Sequence, residues 1–436
     1  MSLRSSAPRA VNALGLALAL QISACSDDDP GSGKNSPIAG AGTSGAGAAA
    51  GSAGTGARGG TGGSAGNAGS AGSAGSAGNG GNAGSAGSAG GGSGGTGGSG
   101  GGDPTKPVPV VCQVTPGAAP PAAWKNVTAN LAGIASECGN LTLVAADPCS
   151  KKVIAGVAKG GLWQSEGGDW KKLGSGAGSA TIEHRPSSIV FDPEHSEVFY
   201  ESGIYGDGVY KTTDGGLTFE RLGEIAHNDL VSVDFHDPDR KTLLAGAHEA
   251  KQKLFYSSDQ GMTWTDIGMN LPAGSHFSSA PLVIDARHFL LGACGWGDGT
   301  CGVYASSDAG KSWTPTTTEG PGGRPLWTAD GHLVWSGVWD GMLLSSDVGK
   351  TWKKVGGARL APVELPGGRV VAIGSDHLVI SSDNGQTWSN VGEALPYNPN
   401  GLAYSAAAKA FYVWRNDCGD HVLPDAVMSA GFDYEQ

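Results

Sequence analysis

Histidines, carboxylates and aromatic residues gather in short polar segments along the chain: His184-Arg185, Tyr205 with Asp207, His227 with Asp229, His248-Glu249, His276, Trp296 with Asp298, Trp339-Asp340, Asp376-His377 and Asn416-Asp417, with Asp420-His421 beyond. Such residues support several chemistries. Two carboxylates flanking a glycosidic bond cleave it when burial raises the pKa of one; Asp207, Asp229, Glu249 and Asp340 are candidates. A histidine can lead an elimination as general base, which makes His227, Asp229, His248 and Glu249 the candidate catalytic group. His227, His248 and His276 can also be read as metal ligands, but they lack a recognisable zinc spacing, so no metal is assigned. Without any turnover, Tyr205, Asp207, Trp296, Trp339, Asp340 and His377 can bind a ligand, the rings stacking on sugars and the polar groups orienting them. Each ring can equally be a loop residue packed on its neighbour. Nothing in the chain implies a cofactor.

These segments need a scaffold, and composition narrows it. Of 436 residues, 77 are glycine, and 30 of these crowd into the 63 residues from Gly40 to Gly102. Beyond about Val108 roughly 330 residues remain, larger than a usual single-core domain, which favours a closed or repetitive architecture. The net charge is −12 and the globular part has no Lys/Arg cluster, so nucleic acid is not an expected partner. A monomer is expected.

The N-terminus reads as an address. Arg4 and Arg9 precede an apolar run from Ala13 to Leu20 and then Ile22-Ser23-Ala24-Cys25, a secretory signal too short to span a membrane. Residues 1–24 are the expected signal peptide. Residues 25–108 are the expected tether, disordered because its Gly-Ser-Ala repeats cannot bury enough apolar surface to offset chain entropy. About 80 such residues reach roughly 50 Å end to end.

One pattern then recurs: an apolar strand followed by Ser-x-Asp-x-Gly-x-x-Trp. It is complete at Ser257/Asp259/Gly261/Trp264, Ser306/Asp308/Gly310/Trp313, Ser345/Asp347/Gly349/Trp352 and Ser381/Asp383/Gly385/Trp388, varied at Thr212/Asp214/Gly216/Phe219, and two residues short from Ser165 to Trp170. The Ser and Asp side chains can bond amides inside a tight turn while Gly takes positive φ. Four short strands accompany each copy; in the third they read Leu230–Phe235, Thr242–Ala247, Leu254–Tyr256 and Thr263–Thr265. That is the unit of a propeller blade.

The repeats resemble the Asp-box repeats of sialidases, sortilin-type receptors and xyloglucanase-type glycosidases, and Ile-Ser-Ala-Cys resembles the bacterial lipobox. The second resemblance implies that Cys25 carries lipid, and Ser26 after it implies the outer membrane or cell surface; two or more acyl chains anchor a protein stably. The first implies an all-β fold, a single seven-bladed β-propeller over residues 109–436. Six boxes end six blades. Leu402–Tyr404, Ala410–Trp414 and Ala426–Met428 form a seventh, completed by Ala123–Val127 from the far terminus, which also removes a sheet edge. A six-bladed ring would leave about 40 residues unused, against the architecture of a closed propeller.

In such a ring, ligands are expected on the face away from the boxes, where six histidines fall; His195, His236, His288 and His332 fall on the other. Six cysteines remain after Cys25, an even number for an exported protein. Cys294 pairs with Cys301 across one loop, Cys138 with Cys418 across the closure, and Cys112 with Cys149 on the box side. Sialidase-like hydrolysis needs three arginines on a carboxylate. Arg185, Arg324, Arg359 and Arg415 fall near the ligand face, but no Arg-Ile-Pro segment stands near the start. The xyloglucanase-type early Asp-Gly-Gly-x-Tyr segment is also absent, as is that family's second propeller. The expectation is therefore recognition of a glycan, ahead of glycan cleavage by a hydrolase or lyase, with an extracellular protein ligand as the further alternative.

Overall fold

A computed structural model describes residues 103–435 apart from 113, 138, 276–279, 295–300 and 339–340. Cys25, the signal segment, Trp296, Trp339, Asp340 and Cys138 therefore lie outside the described residues.

Seven antiparallel sheets of four strands make up this region, which is a seven-bladed β-propeller. Blades 1 to 6 each use four consecutive strands, beginning with the innermost strands Leu141–Ala146, Arg185–Phe191, Asn228–Val233, Ala280–Val283, Pro321–Trp327 and Leu360–Glu364. Blade 7 takes Gly401–Ser405, Ala410–Trp414 and Val427–Gly431 from the C-terminus and its outermost strand, Lys125–Asn126, from the far end of the chain. Lys125 pairs with Ser429 and Asn126 with Met428, so the expected closure is observed. Among the described residues no helix is long and apolar enough to cross a membrane.

The second strand of each blade is sandwiched between neighbouring sheets and reads as a nearly continuous apolar run, as in Val153–Val157, Leu243–Ala247 and Phe289–Ala293, each buried at every position. Seven apolar clusters fill the spaces between blades, one per interface. The core is thus a ring of seven wedges, and each depends on both neighbours.

The turn between the third and fourth strands explains its sequence. In blade 3, Asp259 accepts from the Thr263 amide at 2.9 Å and from its hydroxyl at 2.6 Å, while Ser257 Oγ donates to Asp259 at 2.8 Å and accepts from the Gly261 amide at 2.9 Å. Asp214, Asp308, Asp347 and Asp383 repeat this net. Gly261 takes φ +85°, a conformation costly for other residues. The box aromatic then reaches the preceding blade: the Trp264 indole donates to the Leu222 carbonyl at 3.0 Å. In the shortened copy, Ser165 Oγ accepts from the amides of Gly167 and Gly168, both at 3.2 Å, and makes a tighter turn.

Disulfides join Cys112 to Cys149, with Cα atoms 5.5 Å apart, and Cys294 to Cys301. Cys418 is disulfide-bonded too, and Cys138, its expected partner, lies outside the described residues. Residues from Asp103 to Pro121 run over the box-side face. The Thr105 carbonyl approaches Gly331 in blade 5, the Val111 amide donates to Pro193 in blade 2 at 2.8 Å, and the Gly117 amide to Ala407 in blade 7 at 2.9 Å.

Candidate functional site

Opposite the boxes, three loops of blades 2 and 3 converge. The loop after Phe199–Ile204 carries Tyr205, the one entering Asn228–Val233 carries His227, and the one after Leu243–Ala247 carries His248 and Glu249. The rings of Tyr205, His227 and His248 touch in a triangle with centroids 5.0, 5.4 and 4.8 Å apart. Two of the contacts are edge-to-face, the arrangement that ring quadrupoles favour. Tyr205 remains 40% exposed, and His248 lies beneath at 7%.

The backbone under this triangle is unusual. Three of its residues, Tyr205, His227 and Glu249, adopt φ of +58°, +61° and +48°, a left-handed conformation that non-glycine residues also take in the box turns and at scattered positions such as Lys159 and Arg240. Each costs of order 1–3 kcal/mol and persists only where the surroundings impose it. Backbone bonds do so: the His227 amide donates to Gly206 and the His248 amide to the His227 carbonyl, both at 2.9 Å.

Polar contacts fix the protons. The Tyr205 amide donates to His227 Nδ1 at 2.9 Å, so that nitrogen carries no proton and Nε2 carries one. Burial, with the neighbouring His248 adding to it, holds the His227 pKa below the ordinary imidazole value. His227 Nε2–H has no acceptor among the described residues. His248 Nδ1 donates to Asp229 at 2.7 Å, which leaves Nε2 as the acceptor, 3.4 Å from the Tyr205 hydroxyl. Glu249 lies 3.7 Å from the same nitrogen and is 40% exposed. The four candidate catalytic residues, His227, Asp229, His248 and Glu249, therefore share one place with Tyr205. The arrangement presents a ring face, an N–H donor and a carboxylate to a ligand, and can pass a proton from Tyr205 to His248.

The other candidates go elsewhere. Asp207 lies beside the triangle in sequence but ion-pairs with Arg221 at 3.2 Å, while its carbonyl accepts from His184. His377 opens a strand of blade 6 beside Asp376 at 3.1 Å, and no contact among the described residues joins it to the triangle. Asp229 is taken up by His248, so it is not an exposed carboxylate facing Glu249. Arg415 pairs with Asp425 and stacks over Tyr397, while Arg359 donates to Gly374 and Asn398. Among the described residues no cluster of ligating side chains would hold a metal ion.

Sequence reading missed His184 with Glu201. Both side chains are fully buried beneath the Tyr205 loop, 2.7 Å apart. Burial opposes charge on His184, but the Glu201 carboxylate outweighs it and raises the imidazole pKa. A signal existed: Glu201 is an acid in a second strand, where the other blades are apolar.

With fold and site in view, the class of protein is a seven-bladed β-propeller with a histidine–tyrosine cluster on the face opposite its boxed turns. No family model matches the chain. It is similar to the xyloglucanase of Hypocrea jecorina (strain QM6a), 24% identical over 169 residues, which are 38% of this chain and 17% of that one. The matched region thus spans about a sixth of that relative's length. Among solved structures it is similar to a GH74 enzyme of Niastella koreensis, with a TM-score of 0.48 and 16% identity over 69% of this chain and 44% of that one. It is also similar to YCF48 from Cyanidioschyzon merolae, with a TM-score of 0.46 and 12% identity over 71% and 98% of the two chains.

Proposed function

We propose that this propeller binds carbohydrate at the Tyr205–His227–His248 cluster, and that lipid on Cys25 holds it at a bacterial cell surface. The carrying observation is the triangle of rings 4.8–5.4 Å apart, with Tyr205 exposed on top. A ring face beside an unclaimed N–H and a carboxylate matches the alternating apolar and hydroxyl-bearing faces of a sugar. The partial likeness to a xyloglucanase supports the same ligand class. Binding of residues 103–436 to a glycan array, lost in Tyr205→Ala, is the expected result; an array without any hit, or hits unaffected by that change, overturns it. Labelling with radioactive palmitate tests the anchor, which fails if Cys25→Ser labels equally.

Cleavage is the second reading, favoured by the Asp229–His248–Tyr205 chain, in which an oriented imidazole faces a hydroxyl. Incubation with bound polysaccharides would then release reducing ends or raise absorbance at about 235 nm, a signature of elimination that a general base can drive. Binding without either signal leaves recognition alone.

A further inference from the structure

The innermost strand of blade 5 breaks register between Gly322 and Leu326, where Gly323-Arg324-Pro325 stand opposite Trp335 alone. The Trp335 indole donates to the Gly323 carbonyl at 2.8 Å, and Gly323 takes φ +68°, so the bulge is held in place. Bulges re-aim side chains, and this one sends Arg324 across the axis of the ring. Arg324 Nη2 donates to Ser188 Oγ at 2.5 Å and to the Val231 carbonyl at 3.0 Å, on the innermost strands of blades 2 and 3. A side chain that leaves blade 5 and ends on blades 2 and 3 spans the central channel.

Both acceptors are neutral, and among the described residues no carboxylate pairs with this cation. Its Nε–H and Nη1 N–H groups have no protein acceptor there. Burial alone draws its pKa down to about 10, with no anion nearby to restore it. An uncompensated guanidinium in a confined space is a costly feature that an anionic ligand would relieve. Arg240 has Asp192 and Glu194, Lys409 has Asp433 and Glu435, and Arg415 has Asp425. Arg359, like Arg324, has neutral acceptors, but it donates to Gly374 and Asn398 rather than across the axis of the ring.

The channel's two mouths also differ. On the box side, the chain passes from Thr105 at blade 5 to Val111 at blade 2. Six residues reach at most about 20 Å, so this stretch runs directly across the mouth rather than around it. On the other side, Asp229 lies two residues above Val231 on the same strand, about 7 Å at the rise of a β-strand. The guanidinium therefore sits below Asp229, the residue that holds His248 in the Tyr205–His227–His248 cluster.

We propose that the central channel is an anion subsite, in which Arg324 takes the carboxylate of a uronic-acid residue while the cluster above holds the rest of an acidic glycan. This rests on the carbohydrate reading and narrows it. The planar carboxylate suits the fork of guanidinium N–H groups better than a point charge does.

Titration calorimetry on residues 103–436 would compare oligogalacturonate with its neutral reduced counterpart and with a sulfated oligosaccharide. The expected result is about tenfold or greater preference for the uronate, the scale of one charge-assisted pair. Arg324→Gln should abolish that preference while neutral-sugar binding survives. If Arg324→Gln fails to fold, Arg324→Lys keeps the charge without the fork and should reduce the preference several-fold. A melting curve separates a strut from a site: a strut alone lowers the melting temperature and leaves the uronate-to-neutral ratio unchanged, which overturns the inference. Neutral glycans bound equally well, or the sulfated one preferred, overturns it too but leaves carbohydrate binding standing. No sugar bound at all overturns both.

Discussion

His227 owes its protonation state to a backbone amide. Because the Tyr205 N–H points at Nδ1 at 2.9 Å, adding a proton there would oppose two donors, and burial works in the same direction. A histidine whose folded pKa is depressed contributes stability above its unfolded value near 6.5, and that stability is lost as pH falls through the folded pKa. Proton NMR should therefore show His227 titrating below an ordinary imidazole, and ligand affinity should hold at pH 7–8 and fall only in acid. A normal His227 titration would remove this role. His184 and Glu201 pose the opposite problem, a pair sealed from water at 2.7 Å. Breaking such a pair strands a polar group, so Glu201→Ala should cost about 3 kcal/mol in urea unfolding. Replacing both partners by apolar residues of similar volume should cost distinctly less; equal costs would mean the pair itself is unimportant. Sequence placed His184 with the ligand-face loops but not in the core, because the residue that draws it inward, Glu201, lies seventeen positions away in a strand that pattern alone marks as apolar.

At the scale of the element, the blade was legible because its turn is written in side chains. Ser, Asp, Gly and the aromatic residue each satisfy a bond or backbone angle that has to be met in every copy, so their spacing survives where strand sequences vary. Five box carboxylates accept bonds from the same partners, and all five have lowered pKa values, that of Asp383 falling to about 2. Their contribution to stability is complete above the unfolded value near 4 and is lost as pH falls toward 2. Thermal unfolding should show a marked loss between pH 4 and 2. Asp347→Ala, which removes bonds to Thr351 and Ser345, should cost about 1–2 kcal/mol at neutral pH and shrink that acid loss. An unchanged melting point would show that the turn is held by Gly349 and Trp352 alone. What the pattern did not reveal is the bulges of the innermost strands in blades 1, 2, 3, 5 and 6. A bulge is fixed by how neighbouring blades crowd the axis, which no local spacing records, although Gly322-Gly323 beside Arg324-Pro325 is an unusual composition for a strand.

For the molecule as a whole, the ring is held by two residues of strand. Lys125–Asn126 gives blade 7 its fourth strand, and the neighbouring Thr128 hydroxyl accepts from the Val427 amide at 2.9 Å, while the Val127 amide donates to the Val427 carbonyl at 3.0 Å. Trp124 packs among the clustered side chains of blades 6 and 7. This closure was readable because Ala123–Val127 resembles the segment after each box, whereas the path of the described residues between 103 and 121 over the box-side face was not, since proline-rich stretches carry no period. The Cys112–Cys149 bridge ties that path to blade 1 across 37 residues, and chain entropy sets its contribution at up to about 4 kcal/mol. Reduction should therefore lower the melting temperature without dismantling the fold. Removing the closing strand is different in kind, because Val427–Gly431 would become an open edge in a ring whose every other sheet is complete. A chain beginning at 128 should aggregate or form dimers by exchanging strands, while one beginning at 103 stays monomeric in light scattering. A synthetic peptide of residues 118–127 added in trans should restore the monomer, since it supplies the missing pairs and Trp124 together. If the shortened chain melts like the longer one and remains monodisperse without the peptide, blade 7 is stable as three strands and the ring does not depend on its far terminus.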